Sequence, residues 1–369
     1  MMKRSSLLGA VFAVQALAWA SIAPAHANAS LALPYERASL MTASAAHTVI
    51  TSVASAGQRL VAVGARGVVL LSDDEGVTWR QVQVPVSVTL TAVNFVDAQY
   101  GWAVGHSGVV LHTRDGGESW SRQFDGQQAA AAVSARVDQL TVDLDEEQAG
   151  LLQDYAALLT EDGPDKPLLD VRFLDRQIGF VVGAFGLAFR TDDGGETWKP
   201  WFEHIDNPDQ MHLYAIEGER DRLVIVGEQG LYLSGSVNGH FVSHSTPYEG
   251  SFFAATRLDP QTWLLAGLRG NTVIHSLATD EFRHLRAPEP VSFNAVLGIG
   301  DGSALLASQA GRLFRVTATS TTMSALPLQP MPPLTDILRT GHATVVLGGF
   351  RGPIRLELPK VVDSAGVTQ

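Results

Sequence analysis

The sequence predicts an all-β protein, a seven-bladed β-propeller of four-stranded blades with one helical insertion between blades two and three. Three observations predict it. A glycine ahead of an apolar run recurs along the chain, in most steps about every 41 residues. Short stretches rich in Val, Leu, Thr and Trp are broken by Gly, Asp and Ser four times per period. An eight-residue motif ending in tryptophan occurs three times at the same place in the period.

The first element in the chain is a leader. Lys3 and Arg4 precede an apolar run from Leu7 to Trp19, and Ala25-His26-Ala27 follows. A basic region, a short apolar core and a small-x-small exit make a secretory signal over residues 1–27, with the propeller domain over 28–369. The apolar run is too short to span a bilayer comfortably. The expectation is an exported, periplasmic protein, soluble or peripherally attached to a membrane. No cysteine occurs in the 369 residues, which excludes disulfides, thiolate metal sites and thiol catalysis. With 26 basic against 38 acidic residues the formal net charge is −12, and loss of Lys3 and Arg4 makes the remainder more acidic. Nucleic acid is therefore not expected as a partner, because phosphate binding calls for a basic surface.

The blades come next. Each unit carries a small or glycine residue, two variable residues, Gly, then an apolar strand. The second glycines are Gly67, Gly108, Gly186, Gly230, Gly270, Gly311 and Gly352, separated by 41, 78, 44, 40, 41 and 41 residues. In the second unit four strands are expected over residues 90–95, 101–104, 109–113 and 120–123. Four antiparallel strands per period of this length describe a propeller blade, and radial closure leaves only short edges. In the seventh unit three strands are clear, over 334–338, 344–347 and 354–358. Its outer strand is expected from residues 31–41, which would lock the ring, with 360–363 as the other candidate.

The 78-residue step holds the insertion, residues 127–167. Val133, Val137, Leu140 and Leu144 form one helical stripe, and Leu151, Leu152, Tyr155, Leu158 and Leu159 form another. A polar patch, residues 143–148, lies between them, and Asp162-Gly163-Pro164-Asp165-Lys166-Pro167 ends the helical region. One long helix or a helical hairpin is expected, packed as a flap on the blade rim or presented as a docking element.

The recurring motif reads S-D-D-E-G-V-T-W over residues 72–79, T-R-D-G-G-E-S-W over 113–120 and T-D-D-G-G-E-T-W over 191–198. It looks reactive, but recurrence makes it architecture. Asp74, Asp115 and Asp193 can accept backbone N–H bonds within their own turns. Gly76, Gly117 and Gly195 suit the left-handed conformation of a hairpin turn. Trp79, Trp120 and Trp198 begin the fourth strands as plugs for the gaps between blades. The hydroxyls of Ser72, Thr113 and Thr191 tie the other side. Residues 234–241 carry only a remnant of the motif.

The pattern G-x-x-G, strand, T-x-D-G-G-x-[ST]-W resembles the Asp-box or BNR-repeat propellers. Among them it looks like the exported photosystem II assembly and stability factors and their bacterial relatives. The resemblance covers most of residues 61–356, is carried by the three full boxes, and fades in blades four to seven. It implies a seven-bladed propeller that scaffolds or helps assemble a membrane-protein complex without catalysis. The arginine-rich surface of that family carries over loosely to Arg66, Arg269 and Arg351. The expected client is a membrane-protein complex or other envelope protein, with a transporter as one option; the oligomeric state is left open.

The alternative is a sialidase-like glycoside hydrolase or carbohydrate-binding propeller. Such an enzyme needs three arginines around the substrate carboxylate, a tyrosine nucleophile with a glutamate partner, and an acid. No tyrosine here has that context in the sequence. The 11 histidines are scattered, and the D-x-D-G pattern lacks a full calcium-loop ligand set. No catalytic residue, cofactor or metal is expected.

Strand alternation places the working face. Turns between strands two and three share a face with the connections from strand four to the next blade, and Asp-box turns lie on the other. The insertion leaves the fourth strand of blade two, so it emerges beside the G-x-x-G turns. The variable pairs of those turns supply the candidate partner-binding residues: Arg66, His106, Phe185, Glu228, Arg269, Phe350 and Arg351. Arginine beside phenylalanine is good interface chemistry.

Overall fold

The apolar runs pair as consecutive hairpins into seven antiparallel sheets, six of four strands and one of three. The structure is a computed structural model and describes residues 32–142, 145–341 and 343–359. The leader, the domain start at residue 28, Leu144 and residues 360–363 lie outside those limits. Blade two consists of Leu90–Phe95, Gly101–Gly105, Val110–Thr113 and Ser121–Phe124, close to the bounds read from the sequence. Second strands are the most buried, Gly101–Gly105 and Gly179–Gly183 along their whole length. The inner strand of each blade packs on the inner strand of the next, and that of blade seven, Leu334–Arg339, packs on that of blade one, Ile50–Ala56. The fold is thus a closed seven-bladed propeller.

The core is divided among the seams. Seven apolar clusters correspond to the seven gaps between blades. Trp79 joins Leu338 and Val346 of blade seven to Ile50 and Leu70 of blade one. Trp120 closes the next seam, with its ring edge-on to Phe95 at 6.1 Å, and Trp198 the one after, edge-on to Phe173 at 5.9 Å. The full boxes therefore plug three consecutive seams. Where the motif has decayed other apolar side chains substitute. Phe241, at the tryptophan position of the remnant, is fully buried and packs with Phe180 and Trp201. Trp263 and Tyr232 fill the following seam, and Phe293 and Phe314 the one after it.

The boxes fold as the sequence requires. The Asp193 carboxylate accepts the Thr191 hydroxyl at 2.8 Å, the Thr197 N–H at 2.9 Å and the Thr197 hydroxyl at 2.6 Å. The Thr191 hydroxyl oxygen in turn accepts the Gly195 N–H at 2.8 Å, and Gly195 has φ 88°. Asp74 and Asp115 make the same set. The carboxylates are saturated by donors of their own turn. The indole N–H of Trp79 and Trp120 reaches the box glycine carbonyl at 3.2 and 2.9 Å, whereas that of Trp198 is buried without an acceptor.

Ring closure differs from the sequence-based expectation. The described part of the expected segment, residues 32–41, does not supply an outer strand to blade seven, which has three strands among the described residues. The segment from residue 33 runs instead along blade one and the end of blade two. Ser39 N–H donates to the Val84 carbonyl at 2.9 Å, and the buried Tyr35 accepts Gln127 at its hydroxyl and Arg122 at its carbonyl. Hydrogen bonds between inner strands close the seam. Thr335 Oγ1 donates to the Ile50 carbonyl at 2.6 Å, and Asp336 Oδ2 accepts the Val53 N–H at 2.8 Å. The same bonds occur inside the ring: Thr51 to Leu90 at 2.6 Å, Thr91 to Leu168 at 2.7 Å, and Ile216 N–H to Asp170 at 2.8 Å. Each inner strand pairs its neighbour through an early register shift, a bulge that frees backbone groups for these bonds.

The insertion is a helical hairpin, α1 (Gly126–Leu140) and α2 (Glu146–Glu161). Asp125 caps α1 by accepting the Gln127 and Gln128 N–H groups, and Asp145 caps α2 through Gln148. The buried stripe, Val133, Val137, Tyr155 and Leu159, joins the core between blades two and three. No helix among the described residues is long and apolar enough to cross a membrane.

Candidate functional site

The G-x-x-G turns of blades one to five share one construction. Gly64 N–H donates to the Val68 carbonyl at 2.9 Å and Ala65 N–H to the Val49 carbonyl at 3.0 Å. A side chain at Gly64 would place its Cβ 2.1 Å from the Val49 oxygen, so the close approach demands glycine. Gly67 has φ 72°, and a Cβ there would lie 2.3 Å from the Val86 oxygen. Between them the second variable residue also takes the left-handed region: Arg66 at φ 56°, Ser107 at 59°, Phe185 at 55°, Gln229 at 53° and Arg269 at 55°. This costs conformational energy for a residue with a Cβ. Each such turn is backed by a loop carbonyl. Arg351 holds the equivalent position in blade seven without a positive φ, so that turn has a different shape.

α1 contacts the turn of blade two, and a Cβ on Gly108 would meet Gly126 at 2.8 Å. The Tyr155 hydroxyl of α2 donates to the Phe185 carbonyl at 3.2 Å. The insertion therefore lies on the G-x-x-G face, as strand alternation requires.

The candidate residues fall into two groups. Arg66, Arg269 and Arg351 are exposed, and none forms an ion pair among the described residues. Elsewhere most arginines are engaged: Arg59 with Asp73 and Glu118, Arg114 with Glu196, Arg172 with Glu217, Arg312 with Glu289. Arg351 adjoins Phe350, which is 52% exposed. Arg269 lies near Arg286 and Tyr248; burial raises the Tyr248 phenol pKa, and the two guanidinium groups pull it down. Phe185 and Glu228 belong to a second group. The Lys166 ammonium sits 5.3 Å over the Phe185 ring, His212 meets the ring edge-on at 5.1 Å, and His212 Nδ1 is 3.2 Å from Glu228. His106 is exposed at the turn beneath α1.

Reasoning from sequence missed Lys166, Arg286 and Tyr35. It also missed Asp170 and Asp336 in the central channel, which stand at the third position of the inner strands of blades three and seven. Aligning inner strands would have found them as L-L-D-V and L-T-D-I. Burial pushes their carboxyls up, to about 7 for Asp170 and about 6 for Asp336, against the backbone N–H donors that favour charge. The channel cavity of about 220 Å³ is lined by one tyrosine, Tyr214, and by no arginine. Arg172, just beyond it, is held by Glu217 and the Gly218 carbonyl. The anion-binding triad of the hydrolase alternative is not assembled there.

Seven radial sheets, Asp-box staples and an open face of G-x-x-G turns define an Asp-box β-propeller. Over part of its length the chain is similar to the Ycf48/HCF136 assembly factors, which are propellers of this kind. A family model described as "Photosynthesis system II assembly factor YCF48" matches residues 71–149 and 155–245. Over 201 residues the chain is 27% identical to the photosystem II stability/assembly factor HCF136 of Cyanidioschyzon merolae, covering 48% of this chain and 43% of that one. Over 182 residues it is 29% identical to a Ycf48 of Synechococcus sp., covering 46% and 51%. The chain spans about half the length of the curated relatives it matches. A solved structure titled "YCF48 bound to D1 peptide" superposes with a TM-score of 0.62 at 17% identity, over 89% of this chain and 99% of that one. YCF48 from Cyanidioschyzon merolae gives 0.60 at 16%, over 85% and 97%. At these identities the superpositions establish the shared fold.

Proposed function

We propose that this protein is a non-catalytic scaffold or assembly factor that holds a segment of a membrane-protein complex on its G-x-x-G face. The observation that carries the reading is the set of exposed guanidinium groups at Arg66, Arg269 and Arg351, with no ion pair among the described residues, on an otherwise acidic protein. An unpaired arginine on a rigid turn is ready to bind a carboxylate in a bidentate fork. The aromatic side chains of Phe350 and Phe185 lie on the same face as apolar anchors. The homology to Ycf48, one structure of which is titled as bound to a D1 peptide, supports a peptide segment as the thing held. Residues 1–27 support export to the periplasm, and the client then belongs to the envelope, with a transporter among the options.

The test is capture from detergent-solubilised membranes with Arg66, Arg269 and Arg351 together changed to Glu. Loss of the captured protein at an unchanged melting temperature is expected. Retention of the same protein by the variant would remove the basis for this assignment.

A further inference from the structure

We propose that the outer face of α2 is a second docking surface, and that its occupant is a basic amphipathic helix of the partner protein. The inference rests on the scaffold reading and adds a contact of opposite charge to the arginine turns.

Two stripes run side by side along α2. Leu151 and Leu158 are seven residues apart and 65% and 41% exposed. Glu147, Asp154 and Glu161 are likewise seven apart and all exposed. A seven-residue repeat stays on one face of a helix, so the leucines form an apolar seam edged by carboxylates. The hairpin's other face, with Val133, Val137, Tyr155 and Leu159, is already spent on the propeller core. The exposed leucines are therefore not needed to attach the insertion.

The surroundings select the charge of the occupant. Residues 137–165 contain nine acidic residues and no lysine or arginine. The nearest arginine on α1, Arg136, is tied to Glu203, with Nη2 2.7 Å from Oε1. Lys166, at the end of the insertion, is buried and paired with Asp162 and Asp165. A groove of about 460 Å³ lies beside α2, between Leu140, Leu152 and Tyr155 on the insertion and Phe202, Ile205 and Pro208 on the blade three to four connection. Its polar groups are largely engaged: Tyr155 with Phe185, Asn207 with Met211, Glu203 with Arg136. It therefore offers apolar contact for one large side chain. An anionic membrane is repelled by this surface, and among the described residues α1 and α2 hold one arginine and no lysine, so they offer no basic helix from a second copy. A partner helix with leucines facing the seam and lysines or arginines facing the carboxylates fits both.

The test uses the full chain and a fluorescein-labelled, helix-forming peptide of three heptads, with Leu along one stripe and Lys beside it. A second peptide replaces every Lys with Glu. Anisotropy should show binding of the Lys peptide only. Binding should weaken at least about ten-fold, or about 1.4 kcal/mol, in Glu147→Lys/Asp154→Lys/Glu161→Lys and in Leu151→Ser/Leu158→Ser. A control with the same change in net charge, Glu219→Lys/Asp221→Lys/Glu281→Lys on blades four and five, should stay within about two-fold, as expected for exposed charges beyond a Debye length. If the triple variant melts early, Asp154→Lys alone carries the test. Equal loss in the control, equal binding of the Glu peptide, or preferential sedimentation with phosphatidylglycerol vesicles would overturn the proposal. The Arg66/Arg269/Arg351 variant should bind the Lys peptide as the wild type does, which separates this inference from the arginine reading.

Discussion

Aspartate does two opposite jobs in this molecule. In the boxes it is a charged staple. The Thr78 hydroxyl, the Thr78 N–H and the Ser72 hydroxyl hold the Asp74 carboxyl down at about 2, and Asp115 and Asp193 are lowered in the same way against some burial. A lowered folded value means that the box contribution is present above about pH 4 and is lost as pH falls toward 2. In the channel, burial raises Asp170 and Asp336 to about 7 and 6. A raised folded value has the opposite sign: the contribution is complete below about pH 4 and is lost as pH rises through 6 to 7. We expect Asp170→Asn/Asp336→Asn to flatten the fall in melting temperature between pH 5 and pH 8. Parallel profiles for variant and wild type would show that these groups do not titrate there. The box aspartates were legible in the sequence because they recur with glycine and tryptophan. The channel pair was not, because two carboxyls among seven equivalent positions look like ordinary polar strand residues.

The strand and the seam are the next scale. Strands were legible because glycine and aspartate punctuate β-branched runs, and the inner three of blades two and seven fell close to their expected limits. Outer strands beyond blade two were less legible, because several are only two residues long, such as Lys199–Pro200, Val242–Ser243 and Ser324–Ala325. A pair of residues has no periodicity to read, and the assignment of the N-terminal segment to blade seven failed because its backbone bonds go to residues such as Val84, which nothing in its sequence signals. The seams carry stability. Trp198 is 7% exposed and packs against Phe124 and Phe173. Its replacement by alanine should cost about 3–5 kcal/mol, read by denaturant unfolding, because the seam cannot collapse around the space left. A loss below about 1 kcal/mol would mean that the box is ornament on this propeller rather than its staple. The docking groove beside α2 was invisible in sequence, since Leu140 and Leu152 meet Ile205 and Pro208 only in the fold.

At the scale of the whole molecule, the ring closes with the same chemistry that joins its internal seams. Thr335 reaches Ile50 as Thr91 reaches Leu168. Thr335→Val and Thr91→Val should therefore destabilise similarly, each by about 1 kcal/mol. A much larger loss for Thr335→Val would make the blade seven to one seam the weak point of closure. The boxes face one way and the G-x-x-G turns the other, so the staples and the proposed client surface are separated by the thickness of a blade. The G-x-x-G face carries three exposed arginines, at blades one, five and seven, with no ion pair among the described residues, and an acidic helical ridge over blades two and three. Its seven turns were legible from their glycines, and the insertion's side of the disc from strand parity. The central claim is that this face, and not the channel, captures the client. Its most direct test is crosslinking on intact membranes, with one photoreactive residue at position 350 and another facing the channel at position 214. The account predicts a defined adduct from position 350, abolished by changing Arg66, Arg269 and Arg351 to Glu, and none from position 214. An adduct from position 214 that survives the arginine changes would contradict it.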